Sequence, residues 1–97
     1  MTKVIFRKYK DGDVLAIFPE IPGDHNYETC GSYQHIGQHG PCTPFWAIQS
    51  TKPCPIPESE PLRTELESIG YELNIIERYR YMHYQKRVKE IKRMECV

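Results

Sequence analysis

Val4-Ile5-Phe6-Arg7-Lys8-Tyr9-Lys10-Asp11-Gly12-Asp13-Val14-Leu15-Ala16-Ile17-Phe18 decides the fold. Two β-favouring runs, residues 4–6 and 14–18, flank Lys10-Asp11-Gly12-Asp13, whose glycine is able to take a positive φ. Val4 and Phe6 alternate with Ile5 and Arg7, and Ala16 and Phe18 alternate with Ile17, as strands with one buried face require. This predicts a β-hairpin. Pro19, Pro22 and Gly23 are expected to stop its second strand.

Beyond the hairpin, residues 24–54 are rich in Gly, Pro, Asn and Ser yet hold Tyr27, Tyr33, Ile36, Phe45, Trp46 and Ile48. A third strand is expected over residues 32–36 and a short element of either type over 45–49. Residues 53–57, Pro-Cys-Pro-Ile-Pro, read as a stiff extended connector. Leu62, Leu66 and Ile69 then fall at i, i+4 and i+7 as one apolar helical stripe. Ser59 is the expected N-cap, Pro61 lies in the first turn, and Glu58, Glu60 and Glu65 lie towards the positive end of the dipole. Gly70 is the left-handed stop. Tyr71, Leu73 and Ile75 alternate as a further strand. Finally Tyr81, Tyr84, Val88, Ile91 and Met94 recur at threes and fours, with Lys86, Arg87, Lys89, Lys92 and Arg93 on the positions left for solvent. The order predicts an α+β fold: a small antiparallel sheet, one packed helix, and a basic C-terminal helix that needs a surface to lie on. One domain is expected, with a body over residues 1–78 and a helical tail over 79–97.

Ninety-seven residues leave no room for two independent cores. The apolar fraction of 39% and charged fraction of 27% belong to a folded chain. Thirteen Lys and Arg balance thirteen Asp and Glu, so the whole molecule has no electrostatic pull towards nucleic acid or acidic membrane. The charge is unevenly placed, however. Asp11, Asp13, Glu20, Asp24 and Glu28 follow one another without an intervening Lys or Arg, whereas residues 78–93 carry seven basic side chains against the single acid Glu90. A basic end on a neutral chain suits an acidic partner. No stretch is apolar enough to cross a bilayer, and the charged start lacks a signal-peptide core. These features predict a cytoplasmic protein with no membrane partner, whose Cys30, Cys42, Cys54 and Cys96 are reduced thiols.

Three constellations bear on chemistry. Cys30, His35, His39 and Cys42 place two thiols and two imidazoles within thirteen residues, a zinc-compatible set with His25 and Cys54 in reserve. The spacing matches no standard finger. Helical geometry over residues 35–39 would bring the imidazoles together, whereas extended geometry would hold them roughly 13 Å apart. The alternative is a glycine-punctuated strand and turn with locally bonded histidines and small buried thiols. Arg78, Tyr79, Arg80, Tyr81, His83 and Tyr84 interleave cations with rings, a mixture able to meet phosphates and bases. Packing or partner contacts explain the same tyrosines more simply. Enzymatic readings lack support: His35-x-x-x-His39 has no following Glu, Pro53-Cys54 has no second cysteine at deaminase spacing, and neither Cys30 nor Cys42 has an identifiable oxyanion hole or third group.

Val4-Ile5-Phe6-Arg7-Lys8 with Asp11-Gly12, the run Ala16-Ile17-Phe18-Pro19-Glu20-Ile21-Pro22, Ser32-Tyr33-Gln34-His35-Ile36-Gly37-Gln38-His39-Gly40, and Ser50-Thr51-Lys52-Pro53 with residues 62–71 resemble short uncharacterised proteins of phages, plasmids and other mobile elements. The resemblance spans most of residues 4–76 and carries no catalytic residue. It implies a setting in which small accessory proteins bind and block host factors, including defence nucleases, as anti-CRISPR inhibitors do. The expected function is therefore a non-catalytic binding module. Tyr81, Tyr84, Lys86, Arg87, Lys89, Lys92 and Arg93 of the tail, with Phe45 and Trp46, would meet an acidic surface on a host protein. Self-association is a further outcome, and a zinc-stabilised module or a nucleic-acid binder is the alternative.

Overall fold

A computed structural model describes residues 1–35 and 38–95. Ile36, the expected end of the third strand, and also Gly37, Cys96 and Val97 lie outside the described residues. The opening hairpin forms as its loop chemistry dictates. Strands β1 (Thr2–Lys8) and β2 (Val14–Pro22) pair antiparallel, with Ile5 opposite Ile17 and Lys8 opposite Val14. The Tyr9 N–H donates to the Asp13 carbonyl at 2.8 Å, the Gly12 N–H donates to the Tyr9 carbonyl at 3.0 Å, and Gly12 sits at φ +97°. This is the three-residue loop whose last position requires a left-handed residue. The prolines do not end β2 near Phe18. Their fixed φ suits an extended path, so the strand continues to Pro22, but the ladder slips: Phe18 faces Gly31 and Pro22 faces Cys30.

Strand β3 (Cys30–Gln34) pairs with β2 and, in a second hairpin, with β4 (Gln38–Cys42). Helix α1 (Pro44–Gln49) follows, then β5 (Lys52–Pro53), helix α2 (Ile56–Ser68), β6 (Leu73–Ile75) and helix α3 (Tyr81–Glu95). The sheet runs β4-β3-β2-β1-β5. Strand β6 lies parallel to the first residues of β1, while β5 lies antiparallel to its last, so two short strands share one edge. The fold is α+β, as the element order predicts, and the sheet is antiparallel apart from β6.

Residues 4–7 and 15–19 are buried without a break, so the central strands are covered on both faces rather than one. On the first face Val4, Phe6, Ala16, Phe18 and Tyr33 pack against Leu62 and Leu66 of α2. On the second, Ile5, Leu15, Ile17 and Cys30 pack against Ala47 and Ile48 of α1 and against Ile76 and Tyr79. Helix α3 lies along β2 on that second side, held by Arg87.

Helix α2 begins about one turn earlier than the Ser59 cap would place it. Pro55 is the N-cap residue, and Ser59, inside the helix, donates its hydroxyl proton to the Ile56 carbonyl at 2.9 Å. Pro57 suits the first turn because its N–H groups have no intrahelical partner, whereas Pro61, expected in that turn, lies inside the helix because the helix starts earlier. The helix stops before Ile69, which is exposed. Gly70, at φ +111°, donates to the Glu67 carbonyl while the Tyr71 N–H reaches the Leu66 carbonyl, each at 3.2 Å. That paired closure is the Schellman arrangement, and it returns Tyr71 to stack on Phe18 at 5.1 Å.

Candidate interaction surface

Six residues are too few to hold a helix by themselves, so α1 depends on what it rests upon. Ala47 and Ile48 fix its inner side to the sheet. Its C-terminal end is fixed by Arg7, a buried residue of β1. The Arg7 guanidinium donates to the Ile48 and Thr51 carbonyls at 2.9 and 2.8 Å and, through Nε, to Thr51 Oγ1 at 2.9 Å. A cation there satisfies carbonyls that end a helix and meets its negative pole. Burial pulls the Arg7 pKa down. Phe45 and Trp46 project from this anchored turn. They are 59% and 63% exposed and meet edge to face at 5.3 Å. An open groove of about 490 Å³ runs beside Trp46, lined also by Ser32, Gln34, His39 and Cys42 among others.

The expected stripe of α3 is rotated. His83, Arg87 and Ile91 form its buried line, Tyr84 and Val88 are half-buried, and Tyr81 and Met94 are exposed. Arg87 therefore contacts the protein's own body. It is 1% exposed and donates to the Pro19 carbonyl at 2.9 Å, to the Tyr27 carbonyl at 2.9 Å and to the Tyr79 hydroxyl at 3.1 Å. Its guanidinium carbon also lies 5.8 and 5.4 Å from the Tyr79 and Tyr84 rings. Its Nε has no partner among the described residues. The assignment of Arg87 to a solvent-facing basic surface is corrected by this burial.

The remaining cations stay at the surface. Lys86 reaches Glu20 at 3.5 Å, Arg93 pairs with Glu90, and Lys92 lies 6.0 Å from the Tyr27 ring centroid. Lys89 is exposed. Tyr81 stacks on Tyr84 at 5.7 Å. Glu20 gathers two lysines, Lys3 at 3.1 Å and Lys86 at 3.5 Å, and the His83 imidazole at 3.0 Å. Burial pushes the Glu20 pKa up, but hydrogen bonds from His83 and Lys3 and the charges of Lys3 and Lys86 outweigh it and hold the carboxyl below its ordinary value.

The four expected zinc ligands do not converge. Strand alternation and the β3–β4 register put Cys30 opposite Cys42 on the α1 side of the sheet and Tyr33 opposite His39 on the α2 side. His35 Nδ1 lies 2.5 Å from Glu65, which also accepts from the Tyr33 hydroxyl, while His39 Nε2 lies 3.1 Å from the Tyr71 hydroxyl. Among the described residues no three His, Cys, Asp or Glu side chains are grouped as a metal would need.

The two thiols do meet. Cys30 and Cys42 Sγ atoms are 3.6 Å apart, hydrogen-bonded and not joined by a disulfide. Cys30, fully buried, is held as the thiol by its hydrogen bond to Cys42 and by burial. The same bond from Cys30, with the Ser32 hydroxyl and the charge of Arg87, pulls the half-buried Cys42 below an ordinary thiol against the effect of burial. Burial raises Cys54 instead. No helix among the described residues is long and apolar enough to cross a membrane. Compared with known proteins, the chain matches no family model, no curated protein and no solved structure at a significant level.

Proposed function

We propose that this protein is a non-catalytic binding module that covers an acidic surface of a partner protein in the cytoplasm. The carrying observation is the pair Phe45–Trp46, two large rings held side by side and outward on a turn that buried Arg7 makes rigid. Rigid aromatic anchors supply much contact area at low entropic cost and are the residues on which interfaces concentrate their energy. Helix α3 lies on the same side of the sheet and adds Lys86, Lys89, Lys92 and Arg93, with Tyr81 and Tyr84 as flanking rings. Positive charge there speeds encounter with an acidic face more than it strengthens the finished complex. The resemblance to mobile-element proteins supports a finer form, an inhibitor that blocks a host factor, anti-CRISPR inhibitors being one such type.

The test is capture of a partner from lysate of the source organism, repeated with purified partner. Phe45→Ala with Trp46→Ala should leave the circular dichroism spectrum unchanged and weaken binding by about 30-fold or more, the loss of one interface hot spot. Lys89→Glu with Lys92→Glu should slow association. Equal capture by the aromatic variant overturns the proposal, and capture of nucleic acid with a steep salt dependence would replace it with the basic-tail alternative.

A further inference from the structure

Cys30 and Cys42 are directly opposed on neighbouring antiparallel strands. Opposed residues in such a ladder have Cα atoms about 4.5–5.5 Å apart, inside the range that a disulfide spans. Their sulfurs, at 3.6 Å, need approach by only about 1.5 Å more, a movement that side-chain rotation supplies without displacing either strand. The two partners are unequal. Cys30 is sealed in the core, whereas Cys42 is half-buried and lines the groove beside Trp46. Arg87 places a buried positive charge close enough to act on both thiols, and no carboxylate among the described residues is paired with it. An environment of that kind favours a thiolate at the accessible member.

We propose that Cys30 and Cys42 form a reversible redox pair, with Cys42 the attacking thiol and Cys30 the resolving one, and with small disulfides as the oxidant class. The Cys42 thiolate attacks one sulfur of the small disulfide, making a mixed disulfide and expelling one small thiolate. Cys30, whose proton passes to the departing small thiolate, then attacks Cys42 Sγ. The intramolecular bond forms, the mixed bond breaks, and the second small thiolate leaves. The protein dithiol is oxidised by two electrons while one small disulfide is reduced to two thiols. This inference stands independently of the binding role.

The experiment uses the full chain carrying Cys54→Ser and Cys96→Ser, so that Cys30 and Cys42 are the only thiols. Oxidised glutathione in excess should remove both alkylatable thiols together and lower the mass by two hydrogens, with circular dichroism unchanged. Adding Cys30→Ser should stop the reaction at a glutathione adduct on Cys42. In the chain with all four cysteines, Cys42 should alkylate about tenfold or more faster than Cys54 at neutral pH. Two thiols that both alkylate when the glutathione-treated protein is denatured and trapped would overturn the proposal. A glutathione adduct that persists on Cys42 with Cys30 present would do the same, and so would equal alkylation of Cys42 and Cys54.

Discussion

Replacing Arg87 with alanine removes three donated hydrogen bonds and leaves the Pro19 and Tyr27 carbonyls facing a void. An orphaned buried acceptor costs about 1–3 kcal/mol, so the two carbonyls alone amount to roughly 2–6 kcal/mol. The lost cation–ring contacts with Tyr79 and Tyr84 add to this. Relief from keeping a charge out of water offsets part of it. The expected net loss is about 3–5 kcal/mol, a large share of the roughly 5–15 kcal/mol of a whole domain. At about 4–8 °C per kcal/mol the melting temperature should fall on the order of 20 °C. With a urea slope of about 1–3 kcal/mol per M, the unfolding midpoint should drop by more than about 1 M. Lys89→Ala, on the exposed side of the same helix, should stay within about 0.5 kcal/mol of wild type. Urea unfolding of both variants by circular dichroism decides the matter. A cost below about 1 kcal/mol for Arg87→Ala, or equal costs for the two, would refute the assignment of Arg87 as the anchor of α3.

Other expectations concern acid and packing. The Glu20 carboxyl ionises more readily in the folded chain than in the unfolded one, so its contribution is complete above about the ordinary value of 4.5 and fades as pH falls through the folded pKa. The stability gap between wild type and Glu20→Gln should therefore narrow as urea unfolding is repeated from pH 7 down to pH 3, and a constant gap would contradict the Glu20 network. Leu66→Ala should cost about 2–5 kcal/mol, whereas Ile69→Ala, beyond the helix end and exposed, should cost under about 0.5 kcal/mol. Calorimetric melting of the two variants measures that contrast.

The hairpin was legible because its determinants are local: Gly12 in the loop and apolar runs on either side. Coverage of both faces was signalled less plainly. Val4, Ile5 and Phe6 are apolar at both parities, which marks a strand buried twice, but Arg7 made the run look one-sided. In fact Arg7 is buried too, because α1 offers it carbonyls that no local pattern announces. The burial of Arg87 is hidden from the sequence for the same reason. Its acceptors, at Pro19, Tyr27 and Tyr79, lie 68, 60 and 8 residues away, so helical periodicity alone assigns it to water. Cys30, His35, His39 and Cys42 suggest a zinc set because they are close in sequence. A hairpin register through the same residues separates them, since Cys30 and Cys42 fall at one parity and Tyr33 and His39 at the other. Phe45 and Trp46 belong to the aromatic segment expected to meet a partner, and α1, whose type the sequence leaves open, presents both rings to solvent.

The divided outer edge of β1 bears on how the chain comes to be built. Its neighbours there, Lys52–Pro53 and Leu73–Ile75, are synthesised long after Thr2–Lys8. While the ribosome works through the middle of the message, β1 and β2 can close their loop, yet one flank of β1 stays unzipped and open to pairing with another molecule. Only when residue 75 has left the exit tunnel is that flank sealed, by a parallel join that demands a long closure. Maturation should thus be paced by the late arrival of Leu73–Ile75, and a nascent chain halted before it would be the form most in need of a chaperone.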